Sequence, residues 1–195
     1  MDIKSTDPNF SLGADLESTH SPLAEASHVP GYIYTSPEIL ELEKQKIFMK
    51  DWLCVGRVEE FEKPGDFMTF RILCEPVIVN RDNKGKLQAF YNVCRHRGAE
   101  IAIGQGNASQ FSCPYHGWIY DLEGNFIGAP FAKETQILDR LQCSLKKIKV
   151  DDWAGFVFIN FDQDCCSLID FLGPVVGAAE KFEAENCRLS DKVAI

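Results

Sequence analysis

Four residues constrain this 195-residue chain more than any other feature: Cys94 and His96 in one short run, Cys113 and His116 in a second. The runs read Cys94-Arg95-His96 and Cys113-Pro114-Tyr115-His116, separated by the sixteen residues from Arg97 to Ser112. The chain holds 8 cysteines and 4 histidines, and four of those twelve fall within one 23-residue window, so coincidence is a poor account of them. Thiolates and imidazoles so closely spaced are metal ligands. Any fold built here must bring two tight loops face to face.

Two metal readings compete. A structural zinc ion also takes two Cys and two His, but the usual finger runs C-x₂₋₄-C then H-x₃₋₅-H. Here the order is C, H, C, H with a one-residue first spacer, which speaks against zinc. A [2Fe–2S] unit needs four ligands, and two imidazoles can replace two thiolates on one iron. Two ferric ions, two sulfides and two thiolates sum to zero charge, so an added electron meets less repulsion than in an all-Cys cluster. Cluster-binding residues are therefore expected to be Cys94, His96, Cys113 and His116, with one ligand for each iron from each loop. Gly98 and Gly117 follow the histidines and can adopt positive φ, and Pro114 stiffens the second loop. Backbone N–H groups in such turns can point at sulfur and favour the reduced cluster.

Around these loops the pattern is mainly β. Ser36 and Pro37 read as an N-cap and first helical position, with Leu40, Ile47 and Phe48 at helical spacing to about residue 50. Short β-rich runs follow at 53–58, 67–73, 76–80 and 87–93, punctuated by Pro64-Gly65 and Asp82-Asn83-Lys84-Gly85. A weak strand is expected at 110–112, another at 118–121 with a return near Phe126 after a turn, and two more at 145–150 and 156–161 around a turn at 151–155. These make an antiparallel β-domain of small sheets or a barrel, preceded by an N-terminal helix. A helical stretch at 168–182, interrupted at Gly173-Pro174, follows it. The expected division is a flexible arm over 1–30, the metal domain over 31–162 and a helical stub over 163–195.

Composition narrows the function classes. Hydrophobic residues make up 45% of the chain, enough for a real core. A net charge of -9 with no cluster of Lys or Arg argues against nucleic acid. Apolar runs such as 155–161 fall well short of the roughly 20 residues a membrane helix needs. The polar, acidic start is no secretory signal, so a cytoplasmic location is expected, where disulfides are rare. Cys54, Cys74, Cys143, Cys165, Cys166 and Cys187 lack ligand spacing and read as small apolar residues. His20 and His28 read as exposed bystanders.

The runs Asn92-Val93-Cys94-Arg95-His96-Arg97-Gly98 and Cys113-Pro114-Tyr115-His116-Gly117-Trp118 resemble the Rieske domain of the large (alpha) subunit of ring-hydroxylating oxygenases. The likeness extends more loosely from Tyr32 to Phe161, through Pro64-Gly65-Asp66 and Trp153-Ala154-Gly155-Phe156. It implies an electron relay in which a ferredoxin or flavin reductase fed by NAD(P)H charges the cluster, and a mononuclear non-haem Fe(II) in a following catalytic domain or subunit receives the electrons. Rieske proteins of cytochrome complexes carry a further disulfide-forming Cys pair and a serine where this chain has Trp118. Ala99, Tyr115 and Trp118 therefore imply the oxygenase branch and a potential toward the low end of about -150 to +300 mV. Tyr115 and Trp118 are expected to shield the cluster, and Arg97 to bond within the loops or across a subunit boundary.

The resemblance fails at the oxygen chemistry. The mononuclear iron requires two His and a carboxylate, and no histidine follows His116. No catalytic residue is expected, and the chain alone should not hydroxylate anything. It reads as part of an oxygenase large subunit or as a separately encoded redox subunit; a structural or regulatory domain holding cluster or zinc without electron transfer is the alternative. Aromatic substrates and quaternary amines both stay open, as does a homotrimer.

Overall fold

The structure, a computed structural model, describes residues 16, 19–130 and 140–190. Much of the arm expected over 1–30 lies outside them. The chain divides into two compact units, Met1–Ile47 and Phe48–Ile195. In the first, α1 (Pro37–Glu43) begins as expected: Ser36 caps it by accepting the Ile39 N–H at 3.4 Å, and Pro37 takes the first helical position. The helix widens into a π-turn over Lys44–Phe48. Its apolar stripe differs from the sequence reading, because Ile39 is the buried residue while Leu40 and Ile47 stay exposed.

Among the described residues the second unit holds ten strands, all paired antiparallel. Seven form one sheet in the order β1 (Leu53–Arg57), β10 (Phe156–Asn160), β9 (Lys147–Trp153), β4 (Leu87–Tyr91), β3 (Glu75–Arg81), β2 (Asp66–Ile72), β5 (Gln105–Asn107). Three short strands, β6 (Phe111–Ser112), β7 (Ile119–Tyr120) and β8 (Phe126–Gly128), form a second sheet. This is the mainly β architecture expected, with short helices at both ends, α1 before the strands and α3 (Leu168–Leu172) and α4 (Val175–Ala179) after them, while α2 (Arg140–Cys143) lies between β8 and β9. The break between α3 and α4 falls at Gly173-Pro174.

Alternation along the strands explains the two cores. Val77 and Val79 of β3 and Ala89 of β4 face a core completed by Met68, Ile148, Val157 and Ile159, so the long sheet curls over its own inner face. Ile78 and Phe90, register partners, point the other way and share a core with Phe111, Tyr120 and Phe126 of the small sheet and with Trp118 just before β7. Because both faces of β3 are covered, 77–80 is a continuous buried run. The small sheet and the loops beside it are thus mounted on the outer face of the large one.

Two differences from the sequence reading have clear causes. β9 runs to Trp153, through the expected turn at 151–155, because Asp151 and Asp152 pair with Phe158 and Val157 and leave their own side chains exposed. Ala154 and Gly155, both at positive φ, suffice to reverse the chain. β5 was not expected, because Gln105-Gly106-Asn107 is polar and fully exposed; it forms as an edge strand against Asp66, Phe67 and Met68.

Candidate metal centre

Both motif loops close in the same way despite their different spacers. Cys94 N–H donates to the Ala99 carbonyl at 2.8 Å, and the Cys94 carbonyl accepts the Gly98 N–H at 2.9 Å. Cys113 N–H donates to the Trp118 carbonyl at 2.8 Å, and its carbonyl accepts the Gly117 N–H at 3.0 Å. Each loop is therefore a six-residue reversal, Cys94 to Ala99 and Cys113 to Trp118, whose fifth residue is a glycine at φ of +76° or +67°. The histidine sits third in one loop and fourth in the other.

This geometry pairs like with like. His96 Nδ1 and His116 Nδ1 lie 3.1 Å apart. Two nitrogens bound to one metal at about 2.0–2.1 Å and near-tetrahedral angles would be separated by about 3.3 Å, so the two imidazoles are set to share an iron. Cys94 and Cys113 are buried at 2% and 3% exposure and are close enough to interact, whereas His96 is exposed. Among the described residues no three His, Cys, Asp or Glu side chains converge on one point as a single ion requires. One thiolate pair inside and one imidazole pair outside is the donor set of a two-iron cluster whose irons differ in ligation. The residues fit the group.

Electrostatics agree. Burial pushes the Cys94 thiol up, against hydrogen bonds from the Tyr120 hydroxyl and the His96 backbone N–H, and the neighbouring Cys113 raises it further. Bound iron removes that conflict, since a coordinating thiol is deprotonated outright. His116 is held below the usual imidazole range, first by desolvation, then by the charges of His96 and Arg97.

The surrounding shell is more specific than the sequence revealed. The Tyr120 hydroxyl, fully buried, accepts the Arg95 N–H at 3.1 Å and lies 3.3 Å from Cys94 Sγ, to which its proton can be donated. Asn92, 1% exposed, accepts the Ile101 and Ala102 N–H groups at 2.9 and 3.1 Å and donates to the Ala102 carbonyl at 2.8 Å, tying the end of β4 to the chain leaving the first loop. Trp118 stacks on His96, with ring centroids 5.0 Å apart and planes 7° apart. Trp118 is buried at 9% exposure, whereas Tyr115 lies 3.9 Å from the His116 ring and stays 61% exposed. From sequence, Asn92 entered only as the first residue of the first motif run, with no role of its own, and Tyr120 was not singled out. The available signal was alternation, since Tyr120 is buried two residues after the buried Trp118, with Ile119 between them less so.

His20 and His28 are exposed, as expected, and the six remaining cysteines form no disulfide. No helix among the described residues is long and apolar enough to cross a membrane.

Comparison with known proteins agrees with this centre. The family model for the Rieske [2Fe-2S] domain matches residues 51–148, and the chain belongs to that family. It is 38% identical over 144 residues to the carnitine monooxygenase oxygenase subunit of Acinetobacter pittii, covering 73% of this chain and 39% of that protein. It is 36% identical over 151 residues to the benzene 1,2-dioxygenase subunit alpha of Pseudomonas putida, covering 76% and 34%. The crystal structure of the apo form of a quaternary ammonium Rieske monooxygenase, CntA, superposes with a TM-score of 0.75 at 35% identity, covering 79% of this chain and 45% of that one. The chain thus spans less than half the length of these relatives.

Proposed function

We propose that this chain is the electron-transfer module of a Rieske oxygenase, with Cys94 and Cys113 holding the buried iron of a [2Fe–2S] cluster and His96 and His116 the exposed one. The observation that carries the reading is the 3.1 Å approach of the two Nδ1 atoms beside a buried cysteine pair. When bound, the cluster supplies one reversible electron at a potential that imidazole ligation raises. The chain's own residues do the rest: the two glycine loops fix the ligands, Trp118 orients His96 and excludes water, and Tyr120 and the His96 N–H donate to sulfur and favour the reduced charge.

In this reading the chain accepts electrons from a ferredoxin or flavin reductase fed by NAD(P)H. It passes them to a mononuclear iron that these 195 residues do not hold, since only His20 and His28 remain outside the motif. The helices after the sheet leave Ile169, Phe171, Val175 and Phe182 exposed. A reducing cytoplasm suits a chain whose eight cysteines form no disulfide.

The test is reconstitution. Holo-chain mixed anaerobically with NADH, ferredoxin reductase and ferredoxin should bleach in the visible, while the chain alone hydroxylates neither benzene nor carnitine. A cluster that no such donor reduces would favour the structural alternative, and hydroxylation by the isolated chain would contradict the histidine count.

A further inference from the structure

The stretch 184–189, which follows the helices, returns to the sheet with no fully buried side chain to hold it: Ala184 is half-buried and 185–189 are exposed. One polar node at the end of β1 binds it instead. Arg57, 6% exposed, lays its guanidinium over the Phe156 ring, with Cζ 4.5 Å from the centroid. Its Nε donates to Glu59 at 3.2 Å and its Nη1 to the Ala154 carbonyl at 3.3 Å. Nη2 donates to the Ala184 and Cys187 carbonyls at 3.1 and 2.6 Å, so both of its hydrogens go to the returning stretch. Glu59 completes the node by accepting the Leu189 N–H at 2.7 Å. That bond does most to hold the Glu59 carboxyl below its usual range, ahead of Arg57 and against burial. The backbone makes room for the node. A Cβ on Gly155, at φ +80°, would stand 2.6 Å from Arg57 Nη2. Ala154 and Glu183 are non-glycine residues at φ +49° and +47°, conformations that persist only where surrounding contacts hold them.

We propose that Arg57 and Glu59 form a latch that clamps 184–189 against the end of β1 and the β9–β10 hairpin, and that this stretch opens and closes as one unit. Among the described residues, the hydrogen bonds and the ion pair that tie it to the sheet all end on Arg57 or Glu59, with Arg188 reaching Glu59 at 3.9 Å. Desolvating a guanidinium costs free energy, so Arg57 stays buried only while its partners surround it. The stretch and the buried cation therefore depend on each other, which makes release cooperative rather than a gradual fraying. The latch also governs what lies before it. α3 and α4 run between the end of β10 and this node, so the closed latch fixes the return path of both helices. Closed, it shapes a groove of about 330 Å³ with Trp153 and Ala154 on the hairpin side and Val176, Ala179, Glu180 and Glu185 on the other. Opening withdraws Glu185 and frees the far tether of the helices, which changes how their exposed apolar side chains are presented. None of these residues is a cluster ligand, so loss of the latch leaves the electron-transfer reading untouched.

The experiment is residue-resolved amide hydrogen exchange on the full chain. Three amides of the stretch have acceptors: Asn186, Cys187 and Leu189. In the native chain they should exchange about tenfold or more slowly than in an unstructured peptide of the same sequence. Arg57→Lys keeps the charge but loses the fork, and should speed all three together by about tenfold or more while the amides of β10 keep their rates. Leu189→Pro removes the donor from the far side of the node without touching the sheet, and should speed Asn186 and Cys187 by about fivefold or more. Cys187→Ala is the control: Arg57 binds the carbonyl of that residue, not its thiol, so the rates should hold. Trypsin cleavage after the exposed Arg188 should quicken in the two latch variants alone. Native amides that exchange at the peptide rate, or unchanged rates in either latch variant, would overturn the latch. Should Arg57→Lys speed the β10 amides as well, Leu189→Pro decides alone, with faster Asn186 and Cys187 supporting the latch and unchanged ones overturning it.

Discussion

The Tyr120 hydroxyl is the clearest single-residue control of the centre. It is buried, receives one backbone N–H, and has Cys94 Sγ as the partner for its own proton. A hydrogen bond to sulfur stabilises the more negative, reduced cluster. A bond worth about 0.5–1.5 kcal/mol corresponds to roughly 20–65 mV for one electron. Tyr120→Phe should therefore lower the midpoint potential by about that amount, read by redox titration, with the iron content unchanged. Asn92 acts at the same scale on stability. Asn92→Ala removes three hydrogen bonds and leaves two backbone N–H groups without their acceptor, so urea unfolding should show a loss of about 2–3 kcal/mol. Neither role is visible in sequence, although Asn92 opens the first motif run. Ligands declare themselves through spacing, whereas a tyrosine in a strand looks the same whether its hydroxyl meets water or a cysteine.

At the scale of the element, turns and hairpins carry the testable electrostatics. Asp82 organises the β3–β4 turn: its carboxylate accepts the Lys84 and Lys86 N–H groups at 2.8 and 2.9 Å and the Gln88 amide at 2.8 Å. Burial alone would raise its pKa, but these hydrogen bonds outweigh it and hold the carboxyl below the usual range. Asp66 is likewise depressed, first by its bond from Asn107, against burial. A carboxyl depressed in the fold stabilises it fully above the unfolded value, near about 3.9, and that contribution is lost as pH falls through the folded value. Urea midpoints should thus fall below about pH 5, and the deficit of Asp82→Ala relative to the native chain should shrink as pH drops further. These turns were legible because Asp82-Asn83-Lys84-Gly85 and Pro64-Gly65 are turn chemistries in their own right. β5 and the long arm of β9 were not, since each is held by its partner strand rather than by its own pattern. The exposed face of α1 was misread for a related reason: spacing gives a stripe, but tertiary burial selects which edge of it is covered.

For the molecule as a whole, the design is a division of labour between two sheets. The large sheet buries one face within its own curl and uses the outer faces of β3 and β4 as a platform for the small sheet. That platform holds the two loops in register, so that a one-residue and a two-residue spacer deliver matched ligand pairs. The central claim is that Cys94 and Cys113 bind one iron and His96 and His116 the other. Its most direct measurement is pulsed electron paramagnetic resonance on the dithionite-reduced holo-chain with ¹⁵N-labelled histidine, alongside iron and sulfide analysis. The account predicts equal iron and sulfide, a Rieske-type signal coupled to two histidine nitrogens, and loss of that signal in His96→Ala and His116→Ala. Bound zinc without sulfide, or a signal lacking histidine coupling, would contradict it.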